Sequence, residues 1–329
     1  MKSSNLTLAK IVATREVGPL LLLVALLIGF YFVNPAFLST MNVSNMLVFI
    51  PELGIIALGM TLLLTAGEID LSVGALFGCC PVLTFVLYNE GIMPFEAAFV
   101  LSLVVGALIG LTNGLLVTKI KINSLLVTIG MMLVVRGAAL YVSDGFPQAT
   151  WAVSSPLKSV FVGTVAQVGD FKLIASLLWF VLLAVILQIA LTGTRFGNWI
   201  MAAGGNNKAA RARGVDTDRV RIILFTLCAF LAGLAGSISA LRVSSAYPIA
   251  GTGYELEVIA MTVIGGTLLL GGQGTILGTV IGVFLLRSIR NGIIVVGVPG
   301  LAYNIFVGAI ILIMMAIHSL IERRQTGEE

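Results

Sequence analysis

The sequence predicts an all-α, polytopic membrane protein of about ten transmembrane helices, and three observations carry that prediction. Of its 329 residues, 58% are hydrophobic and only 10% are charged, with a mean hydropathy of +1.09. Soluble domains carry about 25% charged residues. Apolar runs of roughly 20 residues, enough to cross about 30 Å of hydrocarbon, recur along the whole chain. The 37 glycines suit close helix approach and broken helices in lipid.

In chain order the apolar runs place spans at 17–33, 45–66, 69–88, 95–118, 123–143, 172–192, 219–241, 255–271, 274–295 and 300–320. The first follows Lys2, Lys10 and Arg15 and has no small-residue cleavage site after it, which reads as a retained span. The chain therefore reads as a single transmembrane domain over 17–320, between short tails at 1–16 and 321–329. Basic residues orient it. Non-cytoplasmic loops would hold only Lys158, Lys172 and Arg242, and the spans Arg136, Arg287 and Arg290, leaving 13 of the 19 on the cytoplasmic side. That bias predicts both termini in the cytoplasm.

The longest polar run is Ala202 to Val220, AAGGNNKAARARGVDTDRV. Asn206 suits a helix cap, Lys208 to Arg213 fit about two turns, and Gly214 suits a left-handed stop. Asp216 and Asp218 suit the positive end of the next helix. A helix this short buries no core of its own, so the segment predicts a surface offered to a cytoplasmic partner. Its candidates are Gly205, Asn206, Ala209, Ala210, Arg211 and Gly214.

On the opposite side, 144–171 and 242–254 are long polar loops that either meet an external partner or merely connect spans. Arg242, Ser245, Tyr247 and Tyr254 are the contact candidates there. Three polar clusters interrupt apolar runs, and ionisable residues at membrane depth are costly unless paired or wetted. Gly67 to Gly74 brings Asp70 and Ser72, readable as a capped helix reversal at the interface or as a gating element. Glu255 and Glu257 precede Gly265-Gly266 and Gly271-Gly272, which suits either a broken helix beside a pathway or close packing. Arg287, Arg290 and Asn291 share a helix face by spacing, and Glu52, Glu255 or Glu257 would neutralise them. Asn113 joins these residues as a pathway or gate candidate. TLLL at 61–64 and 267–270, with Asn-Gly at 113–114 and 291–292, hints weakly at duplicated halves.

Covalent chemistry finds no support. There is no phosphate-binding glycine loop, His318 is the lone histidine, and Cys79, Cys80 and Cys228 lie in apolar segments without metal-ligand spacing. The cysteines read as packing residues.

Together these segments resemble the permease subunits of ribose-type ABC importers, in the broader group that also holds branched-chain amino-acid permeases. GEIDLSVG at 67–74 is similar to that family's GIDLSVG. SAYPIAGTGYELEVIA at 245–260, GGTLLLGGQGTILGTVIG at 265–282 and AAGGNNKAARARGV at 202–215 resemble further family stretches in the same order. LCAFLAGLAG at 227–236 also fits, and the match runs from about Asn42 to Ile317. The resemblance implies a small-sugar substrate moved by alternating access after delivery by a periplasmic solute-binding protein. It implies a separate ATPase holding ATP and Mg, docked on helix 206–214, and a second permease copy, identical or paralogous. It further implies the bacterial inner membrane, no cofactor on this chain and no nucleic-acid partner. Glu68, where the family usually carries a small residue, and Arg213 depart from the pattern. An amino acid, nucleoside or polyol remains an alternative solute. An ion-coupled transporter or a non-transporting membrane partner are the rival classes.

Overall fold

The computed structural model describes residues 16–149, 153, 155–299, 302, 303, 305, 306, 308, 309 and 312. The expected tenth span is described only in part, and the C-terminal tail, His318 and residues 1–15 lie outside the described residues. The described chain is helical nearly throughout. Its helices are α1 (Val17–Val33), α2 (Thr40–Thr65), α3 (Val73–Asn89), α4 (Phe95–Thr118), α5 (Ser124–Val142), α6 (Pro156–Val162) and α7 (Ala175–Gly193). They continue as α8 (Arg195–Gly205), α9 (Asn207–Ala212), α10 (Thr217–Val243), α11 (Tyr254–Ile264) and α12 (Ile276–Val295). Six of them, α2, α4, α5, α7, α10 and α12, are long and apolar enough to cross a membrane, while α1 and α3 are shorter apolar helices. Leucines, isoleucines and valines on α5 and α7 point outward, as lipid-facing helices require.

The 27-residue α10 is the central column. Gly106, Gly110 and Gly114 lie four residues apart on α4; Gly110 and Gly114 lie close against the Ile222 to Ala229 stretch of α10, and Gly106 lies against Cys80 Sγ. At Gly110 and Gly114 a Cβ would strike the backbone of Phe225 and Ile222. In lipid the hydrophobic effect between helices is lost, so such close backbone approach supplies the packing. The three cysteines are free thiols, and Cys80 packs against Gly106 and Gly233 in the same seam.

The expected span at 255–271 is not a span. Helix α11 ends at Ile264 after 11 residues, about 16 Å at 1.5 Å per residue, half of what a bilayer needs. Residues 265–275 then turn, with Gly266, Gly271 and Gly272 at positive φ. TLLL at 267–270 is therefore non-helical, whereas TLLL at 61–64 is helix, and the echo is not a structural repeat.

Residues 244–253 are likewise more than a surface loop, although Tyr247, Ile249 and Thr252 are exposed. Strand β4 (Ser245–Ala246) pairs with β1 (Gln148–Ala149) in the register Gln148↔Ala246, beside the C-terminus of α3, where Asn89 Nδ2 donates to Ala149 O over 3.4 Å. From there the chain descends along α3 until Gly251 meets Gly74, each leaving no room for a Cβ on the other. Gly74 to Asn89 is about 22 Å of helix at the standard rise. The segment is re-entrant, and α11 starts deep in the bundle.

The loop 144–171 is also built. It holds α6 and the antiparallel hairpin β2 (Thr164–Val168) with β3 (Phe171–Ile174). The hairpin is tied to α2 through Ser44 Oγ, which accepts from Lys172 N at 2.9 Å.

Candidate translocation site and coupling surface

At one end of the bundle, α8 and α9 form a bent arm between α7 and α10. Asn206 caps α9 by accepting from Ala209 N at 2.9 Å, and Gly214 beyond its end has φ +85°. Asp216 caps α10 by accepting from Arg219 N at 3.0 Å. Gly205, Asn206, Ala209, Arg211 and Gly214 are exposed, but Ala210 is buried against the body. Arg211 is turned inward on its own turn. Its guanidinium bonds Asn207 Oδ1, Thr217 Oγ1 and Asp218, so it braces the arm. Lys208, Ala209, Ala212 and Arg213 are the outward side chains of α9 and its cap.

The arm reaches the interior through glycines whose contacts the sequence does not disclose. Gly204, in the last turn of α8, lies against Thr65 O and Ala66 at the end of α2 and against Gly272 N. Gly272 N donates to Thr65 O at 2.8 Å, and Gly271 packs on Gly67. Three chain segments thus meet backbone to backbone. One layer deeper, Thr61 Oγ1 and Thr279 Oγ1 are 2.6 Å apart and join α2 to α12. The signal legible in the sequence was the glycine pairs themselves; what they touch was not.

Beside this junction, Asp70 is fully buried and not at a solvated interface. Its Oδ1 accepts from Ser72 N at 2.8 Å and from the Ser72 hydroxyl. Asn113 Nδ2 donates to Ser72 Oγ at 3.1 Å. Ser72 holds the cap position of α3 but makes no side-chain cap bond; its hydroxyl serves Asp70. Glu68 pairs with Arg221 Nη1 at 3.1 Å.

The re-entrant segment is held by Arg136 of α5. Its Nη1 donates to Pro248 O at 2.8 Å and Ala250 O at 2.6 Å, and its Nη2 to Gly74 O at 3.2 Å. Non-helical backbone at membrane depth needs its carbonyls satisfied by protein, and one guanidinium does this for two strands of chain. Glu255 lies beneath this clasp, accepting from Gly253 N at 3.2 Å, with its Oε2 buried and without a partner.

Between α2, α10, α11 and α12 is a cavity of about 380 Å³. Helix α2 contributes Asn45, Met46, Phe49 and Glu52, and α10 contributes Ser239 and Arg242. Tyr254 opens α11 into it, and α12 lines it with Arg287, Arg290, Asn291 and Ile294. Glu52 Oε1 accepts from Ser239 Oγ at 2.9 Å and Arg242 Nε at 3.1 Å, and Arg242 stacks 4.4 Å above Phe49. Arg242 therefore serves Glu52. Glu257 accepts from the Tyr303 hydroxyl at 3.0 Å, and Arg290 lies over the Tyr303 ring at 4.8 Å. Of the four expected surface contacts, only Tyr247 is exposed. Ser245 is buried, Tyr254 stacks edge-on against Phe77, and Arg242 faces the cavity. The structure brings Arg287, Asn291 and Tyr254 to one cavity, places Asp70, Ser72 and Asn113 in another cluster, and leaves Glu255 at the clasp.

A bundle of apolar helices with a broken helix, a re-entrant segment and a charged internal cavity is the architecture of a membrane transport component. The chain belongs to the family described as branched-chain amino acid transport system / permease component, whose model matches residues 42–315. It is 36% identical over 298 residues to the xylose/arabinose import permease protein XylH of Sulfolobus acidocaldarius, covering 88% of this chain and 80% of that one. It is 36% identical over 313 residues to the ribose import permease protein RbsC of Bacillus subtilis, covering 95% and 94%. The Escherichia coli ribose import permease protein RbsC is 34% identical over 287 residues, covering 85% and 86%. No solved structure matches the chain. The protein is a multi-pass permease subunit of the plasma membrane and not an enzyme, and its family implies a separate ATPase and a periplasmic binding protein.

Proposed function

We propose that this permease carries a small sugar of pentose or hexose size, released to it by the binding protein, through alternating access. The observation that carries the reading is the cavity. Its volume is at the lower end of the roughly 300–1,000 Å³ usual for small-molecule sites. Hydroxyl, amide, carboxylate and guanidinium groups alternate there with the faces of Phe49 and Tyr254. That mixture suits a solute with hydroxyls on its rim and C–H faces between them. The sugar-import relatives support the same class over the amino acids in the family's description.

In this reading α9 docks on the ATPase at the cytoplasmic side, both termini are cytoplasmic, and a second permease copy, identical or paralogous, completes the importer. ATP and Mg²⁺ belong to the ATPase, and this chain needs no cofactor. Movement of α9 would pass through the glycine junction to α2 and α12, two walls of the cavity.

The test is uptake by proteoliposomes holding permease and ATPase, with the binding protein outside. Labelled pentoses and hexoses should accumulate only with ATP. Accumulation of leucine but no sugar would overturn the substrate class. Uptake by the permease alone under an ion gradient would overturn the coupling.

A further inference from the structure

The cavity carries more positive charge than its own walls neutralise. Arg287 is 5% exposed, and among the described residues its Nε and Nη2 have no hydrogen-bond partner; neither has Asn291 Nδ2. The two residues are four apart on α12 and so lie on one face, a turn from each other. Among the described residues no ion pair reaches Arg287 or Arg290. The nearby carboxylates are otherwise engaged. Glu52 is held by Arg242 and Ser239, and Glu257 by the Tyr303 hydroxyl. Among the described residues, counting Glu52 against Arg242, and Glu257 against Arg287 and Arg290, one positive charge is left over.

Nε and Nη2 form one edge of the guanidinium, two parallel N–H vectors spaced to fit the two oxygens of a carboxylate. Water offers lone pairs to such an edge but no charge, and a buried cation without a counter-ion is a costly arrangement. A phosphate dianion exceeds the surplus charge; a carboxylate matches it.

We infer that the solute of this cavity is a small sugar acid, a polyhydroxylated monoanion whose carboxylate binds side-on to Arg287 Nε and Nη2 with Asn291 Nδ2 as third donor. The inference rests on the sugar-permease reading and narrows it. The hydroxyls of the solute then face Ser239, Asn45 and Arg290, and its C–H face meets Tyr254.

The complete importer in proteoliposomes tests it with two labelled pairs, gluconate with glucose and xylonate with xylose. The acids should be taken up and should be inhibited by each other in preference to the neutral sugars. Arg287→Gln should lower acid uptake at least tenfold, and Arg287→Lys should restore part of it. The purified permease gives a readout independent of the binding protein. Gluconate, and not glucose, should raise its unfolding temperature, and Arg287→Gln should abolish the rise. Uptake of neutral sugars alone, with no competition by the acids, overturns this inference and leaves the sugar permease standing. Acid uptake unaffected by Arg287→Gln, with no gluconate-induced shift in the wild type, overturns the assignment to Arg287. Uptake of leucine and neither sugar nor acid removes the underlying reading itself.

Discussion

The glycine junction and the charged cavity are both polar interruptions of an apolar bundle, and they are built in opposite ways. At the junction, Gly67, Gly204, Gly271 and Gly272 let three backbones touch, and the polar groups at the contact bond one another, as Gly272 N does with Thr65 O. Nothing there is left for a solute. In the cavity, long side chains surround open volume and Arg287 and Asn291 keep donors unpaired. A contact with no slack transmits displacement, because close-packed interiors have little compressibility. A cavity with unspent donors binds. The two lie on the same helices, since α2 and α12 reach from Thr61 and Thr279 at the junction to Glu52 and Arg287 in the cavity.

The largest effect separating the two regions is expected at Glu52. Glu52→Gln leaves the Arg242 guanidinium without its carboxylate, and breaking a buried pair costs about 3–5 kcal/mol. Arg242 keeps 23% side-chain exposure toward the cavity, so the loss should fall at or below the lower end. Chemical denaturation of the purified permease measures it. Adding Arg242→Met to Glu52→Gln should recover most of the loss, while the ATPase still binds. A double variant no more stable than Glu52→Gln would mean the pair does not hold α2 to α10.

A smaller effect is expected at the other region. Asn206→Ala removes the cap that accepts from Ala209 N, worth typically about 1 kcal/mol. Binding of the purified ATPase to the permease should weaken severalfold, with the permease's own unfolding unchanged. Equal loss in both measurements would place α9 in the core of the fold and not on a docking arm.

These two regions were unequally legible in the sequence. The arm was readable because capping is local. Asn206, Gly214 and Asp216 act within four residues of themselves, and the spacing alone located α9. Helix α8 was missed, since residues 193–201 fall between the span ending at 192 and the polar run from Ala202 and carry no capping signal as plain as that of Asn206. The cavity residues Arg287 and Asn291 stood out as polar groups in an apolar run, but their partners did not. Arg242 was read as a contact for an external partner, whereas it reaches Glu52, 190 residues away in sequence. Arg136 gave no hint of its role, because it bonds carbonyls, and backbone acceptors carry no sequence signal. The half-length α11 was read as a full span because hydropathy does not register where a glycine pair ends the helix.

If the junction carries motion from the arm to the cavity, Gly204→Ala should interrupt it. The added Cβ would fall on Thr65 O, and such overpacking costs roughly 1–3 kcal/mol. Gly130→Ala is the control, because nothing lies within 4 Å of its Cβ position. In the assembled importer the quantity to measure is ATP hydrolysis with and without solute-loaded binding protein. Gly204→Ala should assemble and keep its basal hydrolysis, but lose about tenfold or more of the stimulation, tenfold being 1.4 kcal/mol; Gly130→Ala should behave as wild type. Full stimulation in Gly204→Ala would mean that the arm reaches the cavity by some route other than the glycines.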